Sequence, residues 1–257
     1  MKAKKVVLYS VIFEVKYAQG YVYLDRCGQT INDIQNDLKG WTVVASPSPD
    51  TATLSRVSKD FIVSFNSDRF NFTANYASET HPDQTCQDAA ALWKIIKGNL
   101  GLTSFYRMGC RLNYNIPFLS WDEAKAFTAT AMLSAPIFHP LIDNSFELLH
   151  SSDSSCFAKD GIEYRLEVSP IQRAEGVDPN RLVIAEGRSL PKGQRQARLD
   201  YQKRIAKYSR DPMFVVQLDV DCVWYDPEEV DVVKYMKDCT AFVEENFLPL
   251  LEQTWSK

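Results

Sequence analysis

The sequence predicts an α+β fold in which antiparallel sheet packs on helices, and three features carry that reading. The first is a pair of long stretches with period-two alternation. Residues 104–117 place Tyr106, Met108, Cys110, Leu112, Tyr114 and Ile116 on one face and Arg107, Gly109, Arg111, Asn113 and Asn115 on the other. The stretch Phe214 to Tyr225 repeats the arrangement, with Phe214, Val216, Leu218, Val220, Cys222 and Trp224 inward and Gln217, Asp219 and Asp221 outward. Strands with one apolar and one polar face belong to a sheet that is covered on one side. The second feature is a hairpin, in which Asn66-Ser67-Asp68-Arg69 joins Phe61-Val63-Phe65 to Phe70-Phe72-Ala74-Tyr76. The third is a helical stripe that closes the chain, Val230, Val233, Val243, Phe247, Leu250 and Leu251.

In chain order the first half, residues 1–102, reads as a strand near 5–16 and a short helix near 30–39. Strands near 41–46, 51–57, 60–66 and 70–76 follow, and then a helix over 83–99 with Ala89, Leu92, Trp93, Ile96 and Leu100 on one side. The second half, 103–257, opens with strand 104–117. Ser120-Trp121-Asp122-Glu123 is then a capping box that starts a helix reaching about Leu133. Weak strand patterns lie between Ile137 and His150, then a serine-rich loop, His150 to Ser155, then strands at 162–169, 181–188 and 213–225. Asp226 is expected to cap the last helix, with Pro227 at its first position and Pro249 as a kink or stop. Both halves therefore read as strand, helix, three to four strands, helix, which predicts a pseudo-duplicated β-α-β(3–4)-α unit packed as one body.

Composition narrows the class. At 257 residues and 45% hydrophobic content the chain can bury a large core. Met1 to Lys5 is basic and Val6 to Phe13 apolar, but Glu14 and Lys16 interrupt the run as a strand would, so the reading is a cytoplasmic protein without a membrane span. The six cysteines (27, 86, 110, 156, 222 and 239) are scattered, with no Cys-x-x-Cys pair and only three histidines. Buried free thiols are expected, with no metal site and no cofactor.

The outward residues of the long strands are the candidate site. Asp219 and Asp221 project to one side roughly 7 Å apart, a spacing that suits a cation or acid/base pair. If strand 104–117 lies beside them, Arg107 and Arg111 pair with them across strands instead, and Glu163, Arg165 and Glu167 continue that ladder. A second candidate is the segment Arg188 to Arg210, with eight basic residues against Asp200. Its Ala197, Tyr201, Ile205 and Tyr208 form an apolar stripe and Arg195, Arg198, Lys203, Arg204 and Lys207 the rest, a basic amphipathic helix over about 194–208 that suits an acidic partner or phosphate. Asp178 with Glu186-Gly187-Arg188 is a poor nuclease echo. No phosphate loop is present, and His139, with His150 before a serine-rich loop ending at Cys156, leaves catalytic Ser, His or Cys roles open in principle, a loop of small polar residues being the default reading.

Several short motifs together resemble a sporadically distributed family of uncharacterised prokaryotic proteins of similar length. They are Phe65-Asn66-Ser67-Asp68-Arg69-Phe70-Asn71-Phe72, the helix around Trp93, Arg107-x-Gly109-x-Arg111, and Leu218-Asp219-Val220-Asp221 leading into the final helix. Leu112 stands where that family favours tyrosine. The resemblance implies no assigned activity. Patchy distribution implies a mobile or defence-associated gene system. The expected function is a non-enzymatic, protein-binding component of such a system, with Arg107, Arg111, Asn113, Asn115, Asp219, Asp221, Arg195, Arg198, Lys203, Arg204 and Lys207 as partner-binding residues, or a homo-oligomer. The alternative is a nucleic-acid binder using 188–210, since two such units resemble the saddle of the TATA-binding protein fold, and the third is a metal-dependent hydrolase.

Overall fold

A computed structural model describes residues 6–18, 20–44, 47–75, 82–133, 147–151, 154–172 and 214–255. Its strands are β1 (Val7–Tyr17), β2 (Thr42–Val43), β3 (Ala52–Arg56), β4 (Phe61–Phe65), β5 (Arg69–Asn75), β6 (Phe105–Phe118), β7 (Glu147–Ser151), β8 (Ser154–Lys159), β9 (Ile162–Gln172) and β10 (Phe214–Tyr225). The helices are α1 (Tyr23–Asp37), α2 (Pro82–Leu100), α3 (Trp121–Leu133), α4 (Val232–Asn246) and α5 (Leu248–Trp255).

The strands form one sheet in the order β2-β3-β4-β5-β1-β6-β10-β9-β8-β7, antiparallel at every junction. Read outward from the centre, β1 is followed by β5, β4, β3 and β2, and β6 by β10, β9, β8 and β7. β1 and β6 join the halves over a long register, from Val7 opposite Asn115 to Tyr17 opposite Phe105.

The described helices pack on one face, and the inward alternation of every long strand explains why. Phe13, Val15 and Tyr17 of β1, Phe70, Phe72 and Ala74 of β5, Cys110, Leu112 and Ile116 of β6, and Leu218, Val220 and Cys222 of β10 are buried there. Tyr23 of α1 meets Phe65, Trp93 of α2 meets Tyr17, Phe70 and Phe105, Phe127 of α3 meets Phe118, and Phe242 of α4 stacks on Tyr164 at 4.2 Å. A buried side chain of this size contributes about 2–3 kcal/mol, so this face supplies most of the driving force. Tyr235 of α4 adds direction: its hydroxyl donates to the Cys222 carbonyl at 2.9 Å and to that of Met108 at 3.3 Å, fixing α4 over the β6–β10 seam.

The structure corrects several sequence expectations. α1 begins at Tyr23 rather than near 30, because its start has no side-chain cap to announce it and Gly28 sits inside it, where glycine reads as a breaker. The loop expected over His150–Ser155 is instead a hairpin, with β7 running to Ser151 and β8 starting at Ser154. The last helix starts at Val232, capped by Asp231 accepting from the Lys234 amide at 3.0 Å, not at Asp226. Asp226 has φ 49° and its amide donates to the Tyr106 carbonyl, so it turns the chain out of β10. The helix then breaks between Asn246 and Leu248, just before Pro249. Tyr106 and Trp224, expected inward, are 42% and 39% exposed, because both lie at the end of the sheet and a register shift in β6 falls at Tyr106. The expected strand 181–188 and the basic helix 194–208 lie outside the described residues.

Candidate functional site

The face opposite the helices carries the outward residues of the central strands. β6 contributes Arg107, Gly109, Arg111, Asn113 and Asn115, and its neighbours place β10 residues Tyr225, Val223, Asp221, Asp219 and Gln217 directly opposite them. On the other flank, Lys16, Glu14, Ile12 and Ser10 of β1 oppose Arg107, Gly109, Arg111 and Asn113. Glu163, Arg165 and Glu167 of β9 lie beside Val223, Asp221 and Asp219.

The Arg-x-Gly-x-Arg spacing has a steric cause. Arg107 bonds to Glu14, which lies opposite Gly109 rather than opposite Arg107 itself, and to Asp221 at 3.2 Å. To reach both acids its guanidinium lies across the Gly109 position, where an added Cβ would meet Arg107 Nη1 at 3.2 Å and Cζ at 3.3 Å. Glycine is the residue that leaves this space. Arg111 then pairs with Asp219, its Nε donating to both carboxylate oxygens at 2.7 and 2.9 Å and its Nη2 to Oδ2 as well. The expected ion pairing between Arg107, Arg111 and the aspartates is therefore present. Arg165 donates to Glu163 and to the Tyr225 hydroxyl, both at 2.8 Å.

Asn113 and Asn115 occupy the same face but are 7% and 8% exposed. Asn113 donates to Ser10 Oγ at 2.9 Å and accepts from Gln217 Nε2 at 2.8 Å, which ties β1, β6 and β10 together by side chains as well as backbone. Asn113 therefore braces the sheet beneath the surface that Arg111, half exposed, presents. Arg195, Arg198, Lys203, Arg204 and Lys207 lie outside the described residues.

Burial raises the Asp221 carboxyl above the usual range, opposed by Arg107, Arg111 and Arg165. The guanidinium of Arg111 is stabilised in its charged form first by its bond to Asp219, and that of Arg165 by Glu163. A cation on the Asp219–Asp221 pair would have to displace bonded arginines, and among the described residues no group of three or more His, Cys, Asp or Glu could hold a metal ion. The arrangement presents a pattern of paired charges across the centre of the face.

On the helix side of the same strands, Cys110 lies opposite Cys222 with Cys239 of α4 above them. A hydrogen bond with Cys239 and burial push the Cys110 thiol up, and burial followed by the Cys239 bond does the same to Cys222. These thiols are core material; all six cysteines are free and buried. Glu14 and Ser10 are the site residues sequence reasoning missed, while Gly109 was legible as part of the arginine motif but not as the space that Arg107 fills. Glu14 was legible as an outward residue of the first strand, but its partner could not be chosen before β1 was known to lie beside β6. Comparison with protein-family models, curated proteins and solved structures finds no match.

Proposed function

We propose that this chain is a non-enzymatic binding protein that holds a protein partner on the helix-free face of its sheet, as one component of a prokaryotic multi-protein system working in the cytoplasm. One observation carries the reading: a continuous sheet of ten strands leaves a face that no described helix covers, and the charges across its centre are paired with each other. A polyanion would need cations free to meet its phosphates. Here Arg107, Arg111 and Arg165 are each held by a carboxylate, and Glu163, Glu167, Asp219 and Asp221 would oppose a phosphate backbone. A protein surface with its own alternating polar groups suits such a face better. Among the described residues no helix is long and apolar enough to cross a membrane. The mirrored strand order supports reading the two halves as related units.

Affinity capture from cells with wild type and Arg111→Glu, each with and without nuclease, tests the proposal. The expected result is a protein retained after nuclease and lost with the variant. Equal capture by both proteins overturns it. Material lost with nuclease and with rising salt would favour nucleic acid bound through the basic segment 188–210.

A further inference from the structure

Three free cysteines stand together in the core beneath α4. Cys110 of β6 and Cys222 of β10 are directly opposite each other across the seam of the sheet, both fully buried. Cys239 of α4 lies over them at 1% exposure. Its place is fixed one helical turn away by Tyr235, whose hydroxyl donates to the carbonyls of Cys222 and Met108 and whose ring is flanked by Phe13 and Trp224. Hydrogen bonds join Cys239 to both strand thiols. The role of a small hydrophobe explains why each cysteine is buried, but it does not call for three thiols bonded to one another.

The three sulfurs are not equivalent. Burial opposes charge at Cys239, but bonds from Cys110, then from Cys222 and Tyr235, outweigh it and bring that thiol below its ordinary value. Cys110, pushed up first by the same bond, and Cys222, pushed up first by burial, keep their protons. One sulfur of the group is therefore the nucleophile, with protonated thiols in reach of it. Burial keeps the thiols of Cys86 and Cys156 up, so neither competes.

We propose that Cys239 is a redox site, which hydrogen peroxide oxidises and which then closes a disulfide onto Cys110, stapling α4 to the central strand β6. Cys110 is the partner because its bond to Cys239 is the stronger of the two. In the first step the Cys239 thiolate attacks a peroxide oxygen. An S–O bond forms, the O–O bond breaks, and the departing hydroxide takes up the proton Cys239 had released, giving a sulfenic acid and water. The Cys110 sulfur then attacks that of Cys239. An S–S bond forms, the S–O bond breaks, and hydroxide leaves with the Cys110 proton as a second water, so the two electrons lost by the thiols are those the peroxide gains. Because the group is buried, the reaction runs as fast as α4 lifts from the seam.

The test is peptide mapping of the full chain after treatment with hydrogen peroxide, free thiols being blocked before digestion, beside a thiol titration in denaturant. The expected result is a loss of two titratable thiols, reversed by dithiothreitol, and a linked pair of peptides carrying Cys239 and Cys110. The urea midpoint of the oxidised chain should rise, since the link constrains the unfolded state. In Cys110→Ala, dimedone should label Cys239 about fivefold more than in wild type, because the sulfenic acid has lost the thiol that resolves it. Cys222→Ala, an equal loss of volume, should still form the link, which separates the chemistry from the effect of a smaller core side chain. Absence of the linked peptide in wild type overturns the proposal. So does a link between Cys110 and Cys222, or oxidation at Cys27, Cys86 or Cys156 while Cys239 stays reduced.

Discussion

The two halves of the sheet share a strand order and differ in what they show to solvent. On the first side the outward residues are mostly small and neutral, Thr42, Thr53, Ser55, Ser64, Asn71, Thr73 and Asn75 with Ile62 among them, and Arg69 at the start of β5 is the charged exception. On the second side the equivalent face carries Arg107, Arg111, Asp219, Asp221, Glu163, Arg165 and Glu167. The inward faces are alike in character, Phe61, Phe65, Phe70 and Phe72 on one side and Leu218, Val220, Tyr164 and Leu166 on the other. The lesson is that period-two alternation fixes which residues reach the core, while the identity of the outward set is free to diverge. The ladder of charges is then a feature of the surface of one side of the sheet, and the inward packing does not depend on it.

The largest effect tests whether the halves stand together. Phe13 of β1 touches Phe70 of the first half and Tyr235 of the second, with ring centroids 6.1 and 6.4 Å apart. Phe13→Ala should cost about 4 kcal/mol. Denaturation followed by the fluorescence of Trp93 and of Trp224, in single-tryptophan variants, should shift as one transition, and two separate transitions would show that the halves unfold independently.

Next comes the charged ladder itself. Arg107→Ala leaves Glu14 and Asp221, 17% and 27% exposed, without their shared partner, and should cost about 2 kcal/mol after allowance for partial solvation. Asn71→Ala, opposite Glu14 on the neutral side, should stay within about 0.5 kcal/mol. Similar losses from the two, measured by urea titration, would erase the contrast. Gly109→Ala should cost about 1 kcal/mol in the wild type and less in an Arg107→Ala background, since the three nearest atoms that the added methyl group meets, at 3.2–3.3 Å, all belong to the Arg107 guanidinium.

The smallest effect is in acid. Asp68 is lowered first by its bond to Arg69, so its contribution is present above the ordinary carboxylate value of 3.8 and is lost as pH falls through its folded value. Asp221 is raised by burial and runs the other way: stability falls as pH rises from 3.8 through its folded value and is flat above it. Denaturant midpoints across the acid range should therefore fall less steeply with acid in Asp68→Asn than in wild type. In Asp221→Asn they should fall more steeply, and the reverse order would contradict both assignments.

Much of this fold was legible before the structure. β1, β4, β5, β6, α2, α3 and β10 follow from alternation, the Asn66–Arg69 turn and the Ser120 cap, whose hydroxyl accepts from the Glu123 amide at 3.2 Å. β8 was missed although Asp160-Gly161 marks the turn after it, with φ 52° and 79°, a combination that glycine and aspartate tolerate. Its serines and Ala158 gave too little apolar contrast to read as a strand. The arginine–aspartate pairing was legible because charge and period agreed on two strands that proved adjacent. Glu14 and Ser10 were not, because their roles depend on β1 lying between β5 and β6, and strand order is set by long-range packing that local patterns do not encode.

That central position of β1 bears on how the chain is made. Synthesis runs from β1 toward β10, so β5 and α2 follow soon enough for the first half to gather around one edge of β1, while the other edge has to wait for β6. Until then β1 offers an unpaired ladder of amides and carbonyls, the kind of surface that recruits strands from other chains. Glu14 and Lys16, alternating along that strand, put opposite charges on the waiting edge and discourage such pairing before Arg107 arrives. Pairing between strands so distant in sequence also makes the closing step slow, so nascent chains of this protein are expected to depend on those two charges more than the finished fold does.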